Sequence, residues 1–234
     1  MAVPSVATTR TVTSTADSGS GSLRAVLGVA QSGDTINFSL TYPATITLTS
    51  GPLTIGTNVT ISGPGATDLA ISGNSALPVF YADQVTASIS GLTIENAAGY
   101  PNGTDDLDGG GISNYGSTLT VINCTFSNNN SAAGTGGAIY NPNANEETGV
   151  AASTLTVINS TFSGNVASTS NGLGGAIYSA GTLTVIFAGI VPRRGLLHGH
   201  QQQRCGERGY LRHRRSSAGR ISRWPAKYSG PWLR

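Results

Sequence analysis

The sequence predicts an all-β solenoid, a right-handed single-stranded parallel β-helix with a short N-terminal capping helix. Three observations predict it: near-identical blocks recur, apolar side chains alternate with Thr inside them, and turn formers separate them. The composition agrees. Of 234 residues 32 are Gly and only 10% are charged, which suits many short strands joined by tight turns. A disordered chain would need high net charge and few Val, Ile and Leu.

The blocks start at Gly109-Gly110-Gly111-Ile112, Gly136-Gly137-Ala138-Ile139 and Gly174-Gly175-Ala176-Ile177. Each is followed by a turn-rich stretch and then Thr-Leu-Thr-Val-Ile, at 118–122, 154–158 and 182–186. The first two run on as Asn-Cys-Thr-Phe-Ser-Asn-Asn (123–129) and Asn-Ser-Thr-Phe-Ser-Gly-Asn (159–165). Leu119/Val121, Leu155/Val157 and Leu183/Val185 alternate with Thr, the period of a strand with one buried face. Stacked coils would place Phe126 over Phe162. Asn129 and Asn165 fall where the chain must turn, so left-handed backbone angles and amide pairing between coils are expected there. Gly136, Gly137, Gly174 and Gly175 supply bends where a side chain would strike the neighbouring rung.

Spacing between the glycine starts is uneven, 27 and then 38 residues, and the excess lies in loops such as 141–153, which a solenoid tolerates. Earlier coils carry the same alternation without the motif: Ile46/Leu48, Leu53/Ile55, Val59/Ile61, Leu69/Ile71 and Ile89 to Ile94. At roughly 20–25 residues per coil, residues 37–186 form about six or seven rungs. Leucine-rich repeats would need a recurring Leu-x-x-Leu-x-Leu, which is absent. A β-sandwich is the remaining alternative, and it has no need of near-identical repeats.

An open solenoid end recruits other strands unless covered. Within residues 1–36, Ser22 is an N-cap and Leu23, Val26, Leu27 and Ala30 share one helical face, with Gly33 ending the segment. This helix is expected to lie over the first rung.

At these residues a family resemblance emerges. Gly-Gly-Ala-Ile together with Phe126/Asn129 and Phe162/Asn165 resembles the paired motifs of polymorphic outer-membrane-protein repeats. Thr11–Gly19, Ser22-Leu23-Arg24 and Asp34-Thr35-Ile36 are similar to the CSLREA-type N-terminal segment of bacterial surface β-helices, with Gly21 and Ala25 at its Cys and Glu positions. The resemblance implies adhesion or surface display, outside the cell or at the outer membrane, and carries over no catalytic residue.

Charge divides the chain sharply. Residues 1–186 hold Arg10 and Arg24 against ten acids, whereas 187–234 hold 11 of the 13 Lys and Arg residues and all three His. After Ile186 the pattern breaks in mid-motif. Read one nucleotide later, codons open to Gly199–Gln203 give a small residue, Ile or Thr, then three residues each Asn or Ser. Those open to Val191–Gly195 admit Ser-x-Gly-Gly-Gly. Residues 187–234 are therefore read as an aberrant basic tail, an out-of-frame or disordered continuation of further rungs. The alternative is a true basic arm for an anionic surface. On the first reading no nucleic-acid partner is implied. No apolar run reaches the ~18 residues of a membrane span. Met1–Arg10 lacks the apolar core of a signal peptide, so an export signal is expected upstream. The chain is expected as a monomer or as a fragment prone to edge association.

Candidate chemistry is sparse. Asp105, Asp106 and Asp108 form the one dense acidic cluster, and hard oxygen ligands suit calcium; otherwise no cofactor is expected. The same three residues are the catalytic candidates if the chain is instead a polysaccharide hydrolase or lyase on a pectate-lyase-like β-helix. Residues 37–186 contain no Lys, Arg or His, which removes the basic proton acceptor that lyases resembling this fold use. Glu146 and Glu147 are read as solvating. Among Tyr100, Tyr115, Tyr140 and Tyr178, the pair Tyr140 and Tyr178 follows the glycine motif directly and is the candidate contact for a polysaccharide or host surface. Cys124 sits where the next repeat has Ser160, as a packed thiol rather than a disulfide half. Asn-x-Ser/Thr triplets at Asn37, Asn58, Asn102, Asn123, Asn129 and Asn159 are read as ladder and turn residues. The function expected is a non-catalytic, adhesin-like scaffold.

Overall fold

The computed structural model describes residues 6–99, 109–131, 135–144, 149–168, 173–186, 189–191 and 197–199. The chain is a parallel β-helix. Three sheets form its sides, with seven, six and six strands, a two-stranded sheet lies beside them, and every strand pair is parallel. Each coil contributes one strand to each side. Thus Thr118–Ile122 lies in the first sheet, Thr125–Ser127 in the second and Ile139–Asn141 in the third, with Asn130–Ser131 in the small sheet between them. The next coil repeats this with Thr154–Ile158, Thr161–Ser163, Val166–Ala167 and Ile177–Ser179.

The alternating pattern explains the core. In the first sheet Ile36, Ile61, Ile89, Val121, Val157 and Val185 pair in register from strand to strand. In the second, Ile46, Ile71, Ile94, Phe126 and Phe162 do the same. In the third, Leu53, Phe80, Ile112, Ile139 and Ile177 follow suit. Of these, all but Val185 are buried. Apolar therefore lies over apolar along the whole axis, and removal of this apolar area from water is the main stabilising term.

Residues with positive φ turn the chain at many of the corners. Gly91, Asn123 and Asn159 do so between first and second sheets, Asn96, Asn128 and Gly164 after the second, and Gln84 and Gly116 after the third. Glycine and asparagine tolerate this region best. Here the structure corrects the sequence reading. The left-handed residues are Asn128 and Gly164, one position before Asn129 and Asn165. Asn129 and Asn165 follow the turn and point inward, at 0% and 4% exposure.

The N-terminal helix spans Leu23–Gly28, shorter than the reading that ran it to Gly33. Ser22 caps it, its hydroxyl accepting from the Ala25 N–H, and Leu23 and Leu27 enter the core. The strand Thr9–Val12 adds to the edge of the first sheet by pairing with Asp34–Phe38, which itself runs across residue 36. At the far end, Gly189–Val191 and Leu197–Gly199 extend the second and third sheets past Ile186.

Candidate functional site

The interior holds a polar spine. Asn129 Nδ2 donates to Asn165 Oδ1 at 2.9 Å and to the Ile94 carbonyl at 2.9 Å. Its Oδ1 accepts from the Ala97 N–H at 3.1 Å. Asn165 Oδ1 also accepts from the Asn129 N–H, and Asn165 Nδ2 donates to the Phe126 carbonyl at 3.0 Å. Each amide thus ties three neighbouring backbone or side-chain groups across coils. Beside this ladder the Phe126 and Phe162 rings stack at 4.7 Å with planes 2° apart.

The sequence reading missed a second ladder. Asn114 Nδ2 donates to Asn141 Oδ1 at 2.7 Å, and Asn141 Nδ2 donates to Ser179 Oγ at 2.8 Å. The Asn114 Oδ1 atom is buried and has no hydrogen-bond partner among the described residues. A signal was available, because Asn114, Asn141 and Ser179 follow Ile112, Ile139 and Ile177 at the same interval.

The glycines have steric reasons. A Cβ on Gly136 (φ +60) would lie 2.3 Å from the Ile139 carbonyl oxygen, and one on Gly137 would lie 2.2 Å from that of Gly175 in the next coil. Gly174 repeats the Gly136 geometry against Ile177.

Outward-facing aromatic residues gather on the third sheet. Tyr140 and Tyr178 are directly paired in register, their rings 5.5 Å apart and 16° from coplanar. Tyr81 and Tyr115 lie 6.1 Å apart on the preceding two strands. All four are half-buried. Because Tyr140 and Tyr178 cover each other's faces, they offer a ligand their ring edges rather than a shared flat platform. In the sequence, the connection between Gly99 and Gly109 leads into strand Ile112–Tyr115, and that after Asn141 leads on to Thr154–Ile158. Asp105, Asp106, Asp108 and Tyr100 in the first, and Glu146 and Glu147 in the second, lie outside the described residues, as does Asn102.

The two basic residues of the first 186 are both committed to carboxylates at the N-terminal end. Asp34, buried, accepts from the Gln31 and Thr8 N–H groups and from the Arg10 guanidinium. The Gln31 hydrogen bond, then those of Arg10 and Thr8, hold its carboxyl well below the ordinary range. For Asp17, burial alone would raise the value, but contacts from Arg24, Ser50 and Thr49 outweigh it and bring the carboxyl to about 2. Arg24 also donates to the carbonyls of Pro52 and Gly51, both at 2.7 Å. Ser22, Leu23 and Arg24 thus act as cap, core residue and clamp.

Cys124 is buried, and desolvation pushes its thiol up to about 11. Its N–H donates to Ser160 Oγ at 3.2 Å, so the pair occupies equivalent places in successive coils. The thiol is packed and far from a reactive thiolate.

Once these columns are set out, the comparison with known proteins has a physical counterpart. The Chlamydia polymorphic membrane protein repeat matches residues 123–142 and 159–180. Each matched stretch begins at a left-handed corner asparagine. It then passes through the stacked Phe, the ladder Asn, the glycine pair and the Tyr strand. The match and the parallel sheets together fit a β-helix of the polymorphic membrane protein type. No curated protein matches the chain. Among the described residues, no helix is long and apolar enough to cross a membrane.

Proposed function

We propose that the chain is a non-catalytic scaffold displayed outside the cell or at the outer membrane, adhesin-like, whose third sheet contacts polysaccharide or a host surface. The observation that carries this reading is the register of Tyr140 on Tyr178, with Tyr81 and Tyr115 on the same sheet. Tyrosine presents an apolar body with a polar tip, which suits partly wet contacts. A coil whose neighbours are locked by amide ladders loses little further freedom on binding, which favours affinity. The matched membrane-protein repeat supports surface display. In the same reading, the helix Leu23–Gly28 closes the first coil, and Asp105, Asp106 and Asp108 are the candidate calcium ligands.

The test is a glycan and cell-surface binding screen of the full chain, with and without calcium, alongside polysaccharide degradation assays. Binding that drops in a Tyr140→Ser/Tyr178→Ser variant supports the reading. Depolymerisation lost in Asp106→Asn would overturn it in favour of an enzyme.

A further inference from the structure

The outer face of the first sheet carries a second regularity, independent of the tyrosines. Thr118, Thr154 and Thr182 pair in one row, and Thr120, Thr156 and Thr184 in a second. All five residue pairs of each strand step stay in register, without slip, across these three strands. Toward the N-terminus the rows continue through Thr86 and Ser88, and the second reaches Thr60 and Thr35. Of these outward positions, Thr118 and Thr182 are exposed and Thr120, Thr154, Thr156 and Thr184 are partly exposed. The strands Val59–Ser62, Thr86–Ser90, Thr118–Ile122, Thr154–Ile158 and Thr182–Ile186 include no charged and no aromatic residue.

The result is a two-dimensional grid of hydroxyl and methyl groups. Its spacing is about 4.8 Å between strands and about 6.6 Å along each strand, two residues at the parallel rise. Threonine is stiff at χ1, so each hydroxyl and methyl is confined to few orientations. Against liquid water such regularity gains nothing over an irregular polar surface. It gains only against a ligand that repeats on a matching grid, because many weak contacts then form together without further ordering. Crystalline polysaccharide would draw on aromatic residues, which these strands do not contain. Crystalline water needs only hydroxyls to hydrogen-bond with its oxygens and methyls to sit between them.

We propose that the threonine face of the first sheet binds ice. The ligand is the ordered water lattice itself, held by the two threonine rows, with the core columns beneath keeping the grid rigid. The proposal stands apart from the polysaccharide reading, since it uses a different sheet.

The experiment grows ice slowly in a solution of the full chain and measures the fraction of protein taken into the solid. The wild type is expected to enter the ice and to shape small ice crystals. Thr156→Lys, at the centre of the grid, and Thr118→Lys, at an exposed position, are expected to be excluded like an ordinary globular protein. Thr161→Lys, exposed on the neighbouring second sheet, is expected to behave as wild type. Circular dichroism confirms that each variant retains its β-structure, and Thr118→Lys serves if Thr156→Lys fails to fold. Exclusion of the wild type from ice would overturn the proposal. Equal loss in a folded Thr161→Lys variant would do so too, as would capture by crystalline cellulose but not by ice.

Discussion

The early coils, residues 34–83, and the late coils, residues 112–186, build the same three-sided shape with different chemistry. Early coils stack apolar on apolar with no polar ladder: Ile36 on Ile61, Ile46 on Ile71 and Leu53 on Phe80. Late coils add aromatic stacking and two buried amide ladders, with Asn129 bound to Asn165 and Asn114 to Asn141. Apolar columns alone are thus enough to make a coil. The amides add register, because an aliphatic column tolerates a small slide whereas an amide that slides loses hydrogen bonds in a dry interior. The earliest coil is secured instead by ion pairs at its end, Arg10 with Asp34 and Arg24 with Asp17.

The contrast can be broken most severely at Phe126. Phe126→Ala removes a fully buried ring and leaves Phe162 without its stacking partner, and should cost about 3–5 kcal/mol by denaturant titration. Asn129→Ala should cost about 3 kcal/mol, since the Ala97 N–H, the Ile94 carbonyl and the Asn165 amide each lose a buried partner. An equal cost for an exposed asparagine such as Asn159→Ala would remove the distinction between inner ladder and outer turn.

Acid should separate the two regions next. The carboxyls of Asp17 and Asp34 are depressed in the folded state, so their stabilisation is complete above the unfolded value near 4 and is lost as pH falls through the folded values. For Asp17 that window runs from about 4 to about 2, and after allowance for solvent screening it amounts to about 1–2 kcal/mol. Urea titrations from pH 6 to pH 2.5 should show falling stability that Asp17→Asn and Asp34→Asn flatten. Loss of the ladder in Asn129→Ala should leave the pH dependence unchanged.

The smallest effect is a gain. Ala82 pairs with Asn114 in register. Asn114 Nδ2 is engaged by Ser117, Asn141 and Thr154, which leaves its Oδ1 as the free acceptor beside Ala82 in the register. Ala82→Ser would place a hydroxyl donor there, carrying the late chemistry into an early coil, and should stabilise by about 1 kcal/mol. Destabilisation would show that this site has no room for the ladder.

The fold was legible because its physics repeats in the sequence. Leu119/Leu155/Leu183 and Phe126/Phe162 announce their own stacking, and Ser22 with Leu23 and Leu27 announces a helix start. Less legible was the division of labour inside Asn128-Asn129, where two identical residues serve as corner and ladder; composition is silent on which faces inward. The helix end was misplaced because Gly28 and Gly33 are equally good stops, and only packing against the first coil selects one. The Asn114/Asn141 ladder hid because Ser179 breaks the identity while preserving the hydrogen bond. The candidate site was legible as a tyrosine column, but not the mutual covering of ring faces, which depends on side-chain rotamers.

The central claim is that successive coils place like positions directly over one another, and a cross-link measures this most directly. Ser127 and Ser163 pair in register on the outer face of the second sheet, at a strand spacing of about 4.8 Å that lies within the Cα range of a disulfide. In a Cys205→Ser background, Ser127→Cys/Ser163→Cys is expected to oxidise readily to an intrachain disulfide. The off-register pair Ser127→Cys/Thr161→Cys is expected to remain reduced, and Cys124 to stay unmodified. Equal cross-linking of both pairs, or of neither, would contradict the stacked-coil account.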